Sequence, residues 1–557
     1  MSKHVEKKKP KIFLIILIVL FLIVAIPGLT ILIKKNYITN EITDKTNLII
    51  NNTNVTTSLK ADVFINNGVV YISKSDIYNF FDNTITYDEK YDQIITCSDT
   101  KIASMPVGQN QIKINTGNVK IKEGVVKKED TYYIPISELE SVYNIDTTYV
   151  EETGIVYIDS LDREQKIATM KNNASIKYKP NTFSKTMAKV EKGEIITIAN
   201  RSDYPVPEGW TRVRTQNGII GYVKLNKMGE LNTVRENLEK QPKIEGKISV
   251  VWDFFSIYVD APDRNGKIEG VNVISPSFFY VDADGDIDVN VGESGKKYIN
   301  WAHNNNYEIW PMISNAFLDI DETSTIMKDY KLREKLANQI VDYIVEYKLD
   351  GINIDFEDMY ESDKDYFSRF LIELEPKLNE IGAVLSVDVT APDGAENWSM
   401  CYDRHTIGKT ADYIMFMAYD QYGESSTEAG TTAGHNWVEA NITKFLGQEG
   451  VEPEKLVLGI PFYTMLWEDD SPSVVNMKSV DSVIPSEVEK KWDEDLKQYY
   501  VEYTENGSKY KMWIEDEKSI EAKLDLISKY NLAGAAYWAK DRESSSVWNL
   551  ISRKLGI

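Results

Sequence analysis

The chain has 557 residues, 42% of them hydrophobic and 27% charged, enough for about two to four folded units rather than a single core. A formal net charge of -23 opposes any general attraction to nucleic acid or to anionic lipid head groups, so polyanions are excluded as general partners. Cys97 and Cys401 fall in segments assigned below to different domains, and His4, His303, His405 and His435 show no metal-ligand spacing. A disulfide framework, a thiolate cluster and a histidine zinc site are therefore all disfavoured, and the expectation is a protein with no metal and no cofactor.

From Ile12 to Ile33 the sequence is apolar and without charge, about the twenty residues needed to cross a bilayer as a helix. Lys3, Lys7, Lys8, Lys9 and Lys11 precede it, while only Lys34 and Lys35 follow closely. The positive-inside tendency then leaves residues 1–11 in the cytoplasm, residues 12–33 in the membrane and the remainder outside the cell. A cleaved signal peptide has a shorter apolar region, usually about 7 to 15 residues, and ends at a small-residue site, neither of which fits here. Residues 34–58 are rich in Asn and Thr, lack apolar periodicity, and read as a solvated linker.

Over residues 59–162, short β-type runs alternate with turns and the pattern repeats. Val70-Tyr71-Ile72 followed by Ile77 and Phe81 matches Tyr132-Tyr133-Ile134 followed by Leu139 and Tyr143, and Tyr87 pairs with Tyr149 at the same offset. This repeated hairpin and short helix resembles the stalk-like domain at the amino end of copper amine oxidases. The segment contains no histidine, so no copper site is expected. Residues 163–230 continue with short β-rich runs and turns at Asn172-Asn173 and Asn217-Gly218. Ile176 to Pro180, Gly209-Trp210 and Gly221-Tyr222-Val223 resemble a bacterial SH3-type barrel, which implies cell-wall peptide as a partner; Trp210 and Tyr222 serve equally well as core residues of a spacer.

Beyond Lys243 the rhythm changes to apolar runs separated by helical stretches, the pattern of a parallel α/β sheet. Eight runs can be marked: Ile248 to Phe255, Val271 to Tyr280, Glu308 to Ser314, Gly351 to Glu357, Val384 to Val389, Tyr413 to Tyr419, Leu456 to Pro461 and Gly534 to Trp538. Eight such units without a glycine-rich phosphate turn after the first predict a closed (β/α)8 TIM barrel over residues 245–557. The run Asp282, Asp284, Asp286, Asp288 copies part of a calcium loop, but Ile287 stands where that loop needs glycine, so an acidic hairpin around Gly285 is expected instead. An insertion at 464–515 separates runs seven and eight.

In Asp350-Gly351-Ile352-Asn353-Ile354-Asp355-Phe356-Glu357, alternation sends Asn353, Asp355 and Glu357 to one face and the apolar residues to the other. Two carboxylates side by side repel, so one keeps a proton at neutral pH, which prepares a general acid. Glu357 stands last, at the barrel end where catalytic groups belong. Met417-Ala418-Tyr419-Asp420, Gly459 to Tyr463 and Ala536-Tyr537-Trp538 bring aromatic faces, a phenol and another carboxylate to the same mouth, as a sugar site requires.

The stretch from Asp350 to Glu357 resembles the D-x-x-D-x-D-x-E signature of family 18 glycoside hydrolases, and its N-I-D-F-E form resembles the spore-cortex and peptidoglycan N-acetylglucosaminidase branch. The resemblance implies a retaining reaction in which the substrate's own acetamide is the nucleophile, an exception to the two-carboxylate pattern. It implies Glu357, Asp355 and Tyr419 as catalytic residues and Asp350, Asn353, Asp420, Tyr463 and Trp538 as substrate contacts. Asn353 departs from the family pattern, replacing its second aspartate. The substrate class implied is an N-acetylglucosamine-containing polysaccharide, peptidoglycan ahead of chitin. A silent sugar-binding or wall-adhesion protein is the alternative, disfavoured by the presence of both Asp355 and Glu357.

Overall fold

A computed structural model of the chain describes residues 45–201, 205–237 and 243–557, together with a few helical positions between 19 and 27. The predicted span 12–33 thus lies mostly outside the described residues, and no helix among the described residues is long and apolar enough to cross a membrane. The described chain forms two compact units that divide near residue 240, with Cys97–Ile102 grouped with the second.

The first unit is β-rich throughout. The two copies of the repeat lie side by side, Ile72 opposite Ile134 and Tyr71 opposite Pro135 in an antiparallel pair, each followed by a short helical turn. Ile72, Ile94, Met105, Ile134 and Val156 share one core. Folded structure starts earlier than the linker expected over 34–58. Strand Asn47–Ile50 runs parallel to Ile155–Ser160 and antiparallel to the two-residue strand Thr53–Asn54, with Leu48 and Ile49 buried; a short apolar run whose main partner lies about a hundred residues away carries little local signal. Asn51 and Asn52 take positive φ to turn the chain after it. Residues 165–235 then form a seven-stranded sheet around Met170, Ile176, Val213 and Val223, with Tyr222 buried and Trp210 half-buried.

The second unit is a closed parallel barrel. Its strands are β1 (Ile248–Asp253), β2 (Val273–Pro276), β3 (Glu308–Ile309 and Met312–Ser314), β4 (Gly351–Asp355), β5 (Val384–Val389), β6 (Tyr413–Met417), β7 (Leu456–Pro461) and β8 (Gly534–Trp538). Each pairs with the next, β3 breaking at Trp310-Pro311 where proline removes a ladder donor, and β8 returns to pair with β1. Alternation divides the core in two. Ile274, Ile352, Ile354, Val387, Phe416 and Leu458 face the surrounding helices, whereas Val250, Trp252, Trp310, Met312, Met415 and Val457 fill the lumen.

The acidic stretch after β2 is the expected hairpin, Phe279–Val281 against Ile287–Val289, with Gly285 at φ +71° in its turn and Asp286 paired to Lys335. Between β7 and β8 the insertion folds as a separate five-stranded antiparallel sheet whose core includes Val475, Val501, Met512 and Ile514.

Candidate active site

Strand β4 delivers the acidic residues as its alternation dictates. Ile352, Ile354 and Phe356 are at most 1% exposed. Phe356 stacks on Phe367 and Phe370 of helix Lys364–Glu380 at ring distances of 6.0 and 6.1 Å. With that face fixed, Asn353, Asp355 and Glu357 turn to the lumen, Asn353 fully buried and the two acids half-buried at the carboxy-terminal mouth.

The main chain around Glu357 is clamped. Asn315, just past β3, accepts the Glu357 amide at 2.9 Å and donates its own side-chain amide to the Glu357 carbonyl at 2.9 Å. The Tyr402 hydroxyl donates to the Phe356 carbonyl at 2.8 Å. Below the acids, Asn353 Oδ1 accepts from Trp252 Nε1 at 2.8 Å and from Ser275 Oγ at 3.3 Å, while its Nδ2 donates to Asp388 Oδ1 at 2.8 Å.

Three carboxyl groups therefore share one poorly solvated space. Burial, then the charge of Asp388, pushes Asp355 up to about 8, against a hydrogen bond from Glu357 that favours its ionised form. Glu357 is raised well above the usual carboxyl range by burial and by the charge and hydrogen bond of Asp355. Asp388 is raised by burial, with the Asn353 amide opposing. The hydrogen bond between the two favours the ionised form of Asp355 and the protonated form of Glu357, which puts the proton of the β4 pair on Glu357.

Around the mouth, Tyr463 Oη donates to Asp420 Oδ1 at 2.5 Å, and the Tyr463 ring meets Tyr419 edge-on at 6.2 Å. Tyr463 opens the first strand of the inserted sheet rather than closing β7. Burial raises the Tyr419 phenol well above its ordinary range, so it stays a neutral donor. Trp538 ends β8 and packs against Trp252 at 6.0 Å and Phe254 at 5.7 Å, leaving part of its ring exposed.

Two of the expected substrate contacts lie elsewhere. Asp350 precedes the first residue of β4, and a rise of about 3.3 Å per residue puts it roughly 20 Å from Glu357, at the opposite end of the barrel. There its Oδ2 accepts the Ile309 amide at 2.9 Å and pairs with His303 Nε2 at 3.0 Å, tying the start of β3 to the start of β4. Asn353, 0% exposed and bonded on both ends of its amide, is a strut beneath the site, not a contact surface. Sequence reasoning missed Asp388 and Asn315. The alternation of Ser386 and Asp388 along β5 carried a signal for the first; Asn315, on a loop, offered none.

Among the described residues no cluster of His, Cys, Asp and Glu is arranged to hold a metal ion. The model of the family described as glycosyl hydrolases family 18 matches residues 255–543, more than half of the chain. The chain belongs to glycosyl hydrolase family 18. The family 18 barrel is preceded by a match to the copper amine oxidase N-terminal domain at residues 49–158. Uncharacterized glycosylase YvbX of Bacillus subtilis (strain 168) is 28% identical over 298 residues, covering 51% of this chain and 84% of that protein. The cortical fragment-lytic enzyme of Bacillus anthracis is 22% identical over 254 residues, covering 43% of this chain and 57% of that one, so the chain spans little more than half of this relative. The crystal structure of a chitinase from Chromobacterium violaceum ATCC 12472 superposes with a TM-score of 0.50 at 20% identity, covering 56% of this chain and all of that one, a likeness of fold. This family 18 protein is a glycosidase.

Proposed function

We propose that this glycosidase hydrolyses β-1,4 bonds beside N-acetylglucosamine in peptidoglycan, with the substrate's acetamide as nucleophile, outside the cell and anchored through residues 12–33. The observation that carries the reading is the half-buried Asp355–Glu357 pair at the barrel mouth, both carboxyls raised by burial, with aromatic side chains around it.

In this reading Glu357 protonates the leaving oxygen as the acetamide oxygen attacks the anomeric carbon. The C–O bond to the leaving sugar breaks and an oxazolinium forms. Asp355 accepts the acetamide N–H and supports the growing positive charge, and Tyr419 donates to the acetamide oxygen. Glu357, now ionised, takes a proton from the water that opens the ring with net retention. The exposed Trp538 face floors the sugar, while the Asp420–Tyr463 pair offers a carboxylate and a phenol to its hydroxyls. Relatives named cortical fragment-lytic enzymes weigh toward peptidoglycan over chitin. The resemblance of residues 163–230 to a bacterial SH3-type domain adds cell-wall peptide as a second contact, and the uncharged run Ile12 to Ile33 supports the anchor.

The test is digestion of purified peptidoglycan and of N-acetylglucosamine oligomers, with Glu357→Gln alongside and released sugars identified by mass spectrometry. Wall fragments ending in N-acetylglucosamine are expected from the wild type, with turnover down at least about 1,000-fold in the variant. Cleavage of the oligomers alone would make the enzyme a chitinase, and full activity of the variant would remove Glu357 as the acid.

A further inference from the structure

Asp388 stands outside the linear motif yet inside the carboxyl cluster. The β4–β5 ladder pairs Asn353 with Ser386 and Ile354 with Val387, so the next rung sets Asp388 directly beside Asp355. Asp388 is 2% exposed, and its Oδ1 receives the Asn353 amide at 2.8 Å. Asn353 cannot swing away, because Trp252 and Ser275 hold its oxygen. The titratable groups turned toward Asp388 are Asp355 and Glu357 from β4 and Tyr419 from beyond β6. A buried carboxyl with one neutral amide and two carboxyl neighbours is costly to keep unless its charge is used.

We propose that Asp388 is a positioning residue for the acid pair: a titratable carboxyl carried on β5 and bracketed by Asn353, which when ionised sets beside Asp355 the negative charge that the motif lacks at position 353. Its role is to keep one proton within the Asp355–Glu357 pair, on Glu357 while Asp355 accepts from the substrate. Asn353 is then one half of a relocated pair: the carboxyl has moved one strand over and the amide has taken its former place. This rests on the reading of Asp355 and Glu357 given above.

The experiment uses the full chain on N-acetylglucosamine oligomers across pH. Asp388→Asn keeps the shape and removes the charge, so kcat at neutral pH falls about ten-fold with KM nearly unchanged. The basic limb of the kcat profile moves down by about one pH unit, and activity recovers as the pH is lowered. The exchange variant Asn353→Asp with Asp388→Asn restores the carboxyl and amide in swapped places, and with them both rate and limb. An independent variant, Asn353→Leu, leaves the carboxyl but removes the amide that favours its ionised form, and moves the limb in the same direction. An asparagine is what a permanently neutral Asp388 would resemble, so an unchanged profile in Asp388→Asn overturns the proposal. So does an exchange variant that folds, by circular dichroism, yet is no better than the single one. Glu357→Gln run in parallel separates the two ideas: if it is inactive while Asp388→Asn is unaffected, only the role of Asp388 falls.

Discussion

Glu357 depends on its neighbours through its backbone as much as through its carboxyl. Asn315 holds its amide and carbonyl, and Tyr402 holds the preceding carbonyl, so a change confined to the side chain leaves the strand end in place. That separation makes a pH experiment on Asp355 clean. Its folded-state value of about 8 lies above the roughly 3.9 of an unfolded aspartate, so the favourable contribution is complete below about pH 4 and is lost as the pH climbs toward 8. Asp355→Asn removes the Asp355 share of the titration and leaves those of Glu357 and Asp388. Its melting temperature, close to wild type at pH 4, is expected to exceed it by about 4 °C at pH 9 in differential scanning calorimetry. The acid pair was legible because period-two alternation names a face. The end of the strand was legible too, since Glu357 comes last in chain order; Asp350 came from the resemblance alone, and it precedes the strand at the opposite end. The face of Asp388 could be read from its alternation with Ser386, but its pairing with Asn353 could not, because that partner is on a different strand and register is set by the whole sheet.

At the scale of elements, the eight apolar runs correspond to the eight strands, β5, β7 and β8 to the residue, because strands buried on both faces read as continuous hydrophobic stretches. The seam between β8 and β1 shows why one residue there is fixed. A Cβ at Gly534 would lie 1.8 Å from the Ile248 carbonyl oxygen, a backbone atom that cannot step aside. Gly534→Ala is therefore expected to cost more than about 4 kcal/mol, read as lost cooperativity or a collapsed midpoint in urea unfolding. A wild-type midpoint would mean that the seam is looser than its geometry. The insertion 464–515 remained opaque to sequence because its strands pair with one another and with nothing in the barrel sheet.

At the scale of the molecule, the barrel unit has its own closed sheet and core, and the amino-terminal unit has separate ones. A fragment spanning residues 241–557 is expected to cleave soluble oligomers within about two-fold of the full chain, while sedimenting with insoluble wall material less well, as loss of a tethered binding module predicts. Equal sedimentation would leave the amino-terminal unit as a spacer only. The closing pair of the barrel joins its first strand to its last. Trp538, which floors the proposed site, belongs to that last strand. As the chain leaves the ribosome, the groups on β4 to β7 emerge with no floor and an open edge, and only the arrival of β8 encloses them. Synthesis order thus acts as a timer: the proposed site stays unable to grip a sugar polymer until the last strand of the barrel has been made.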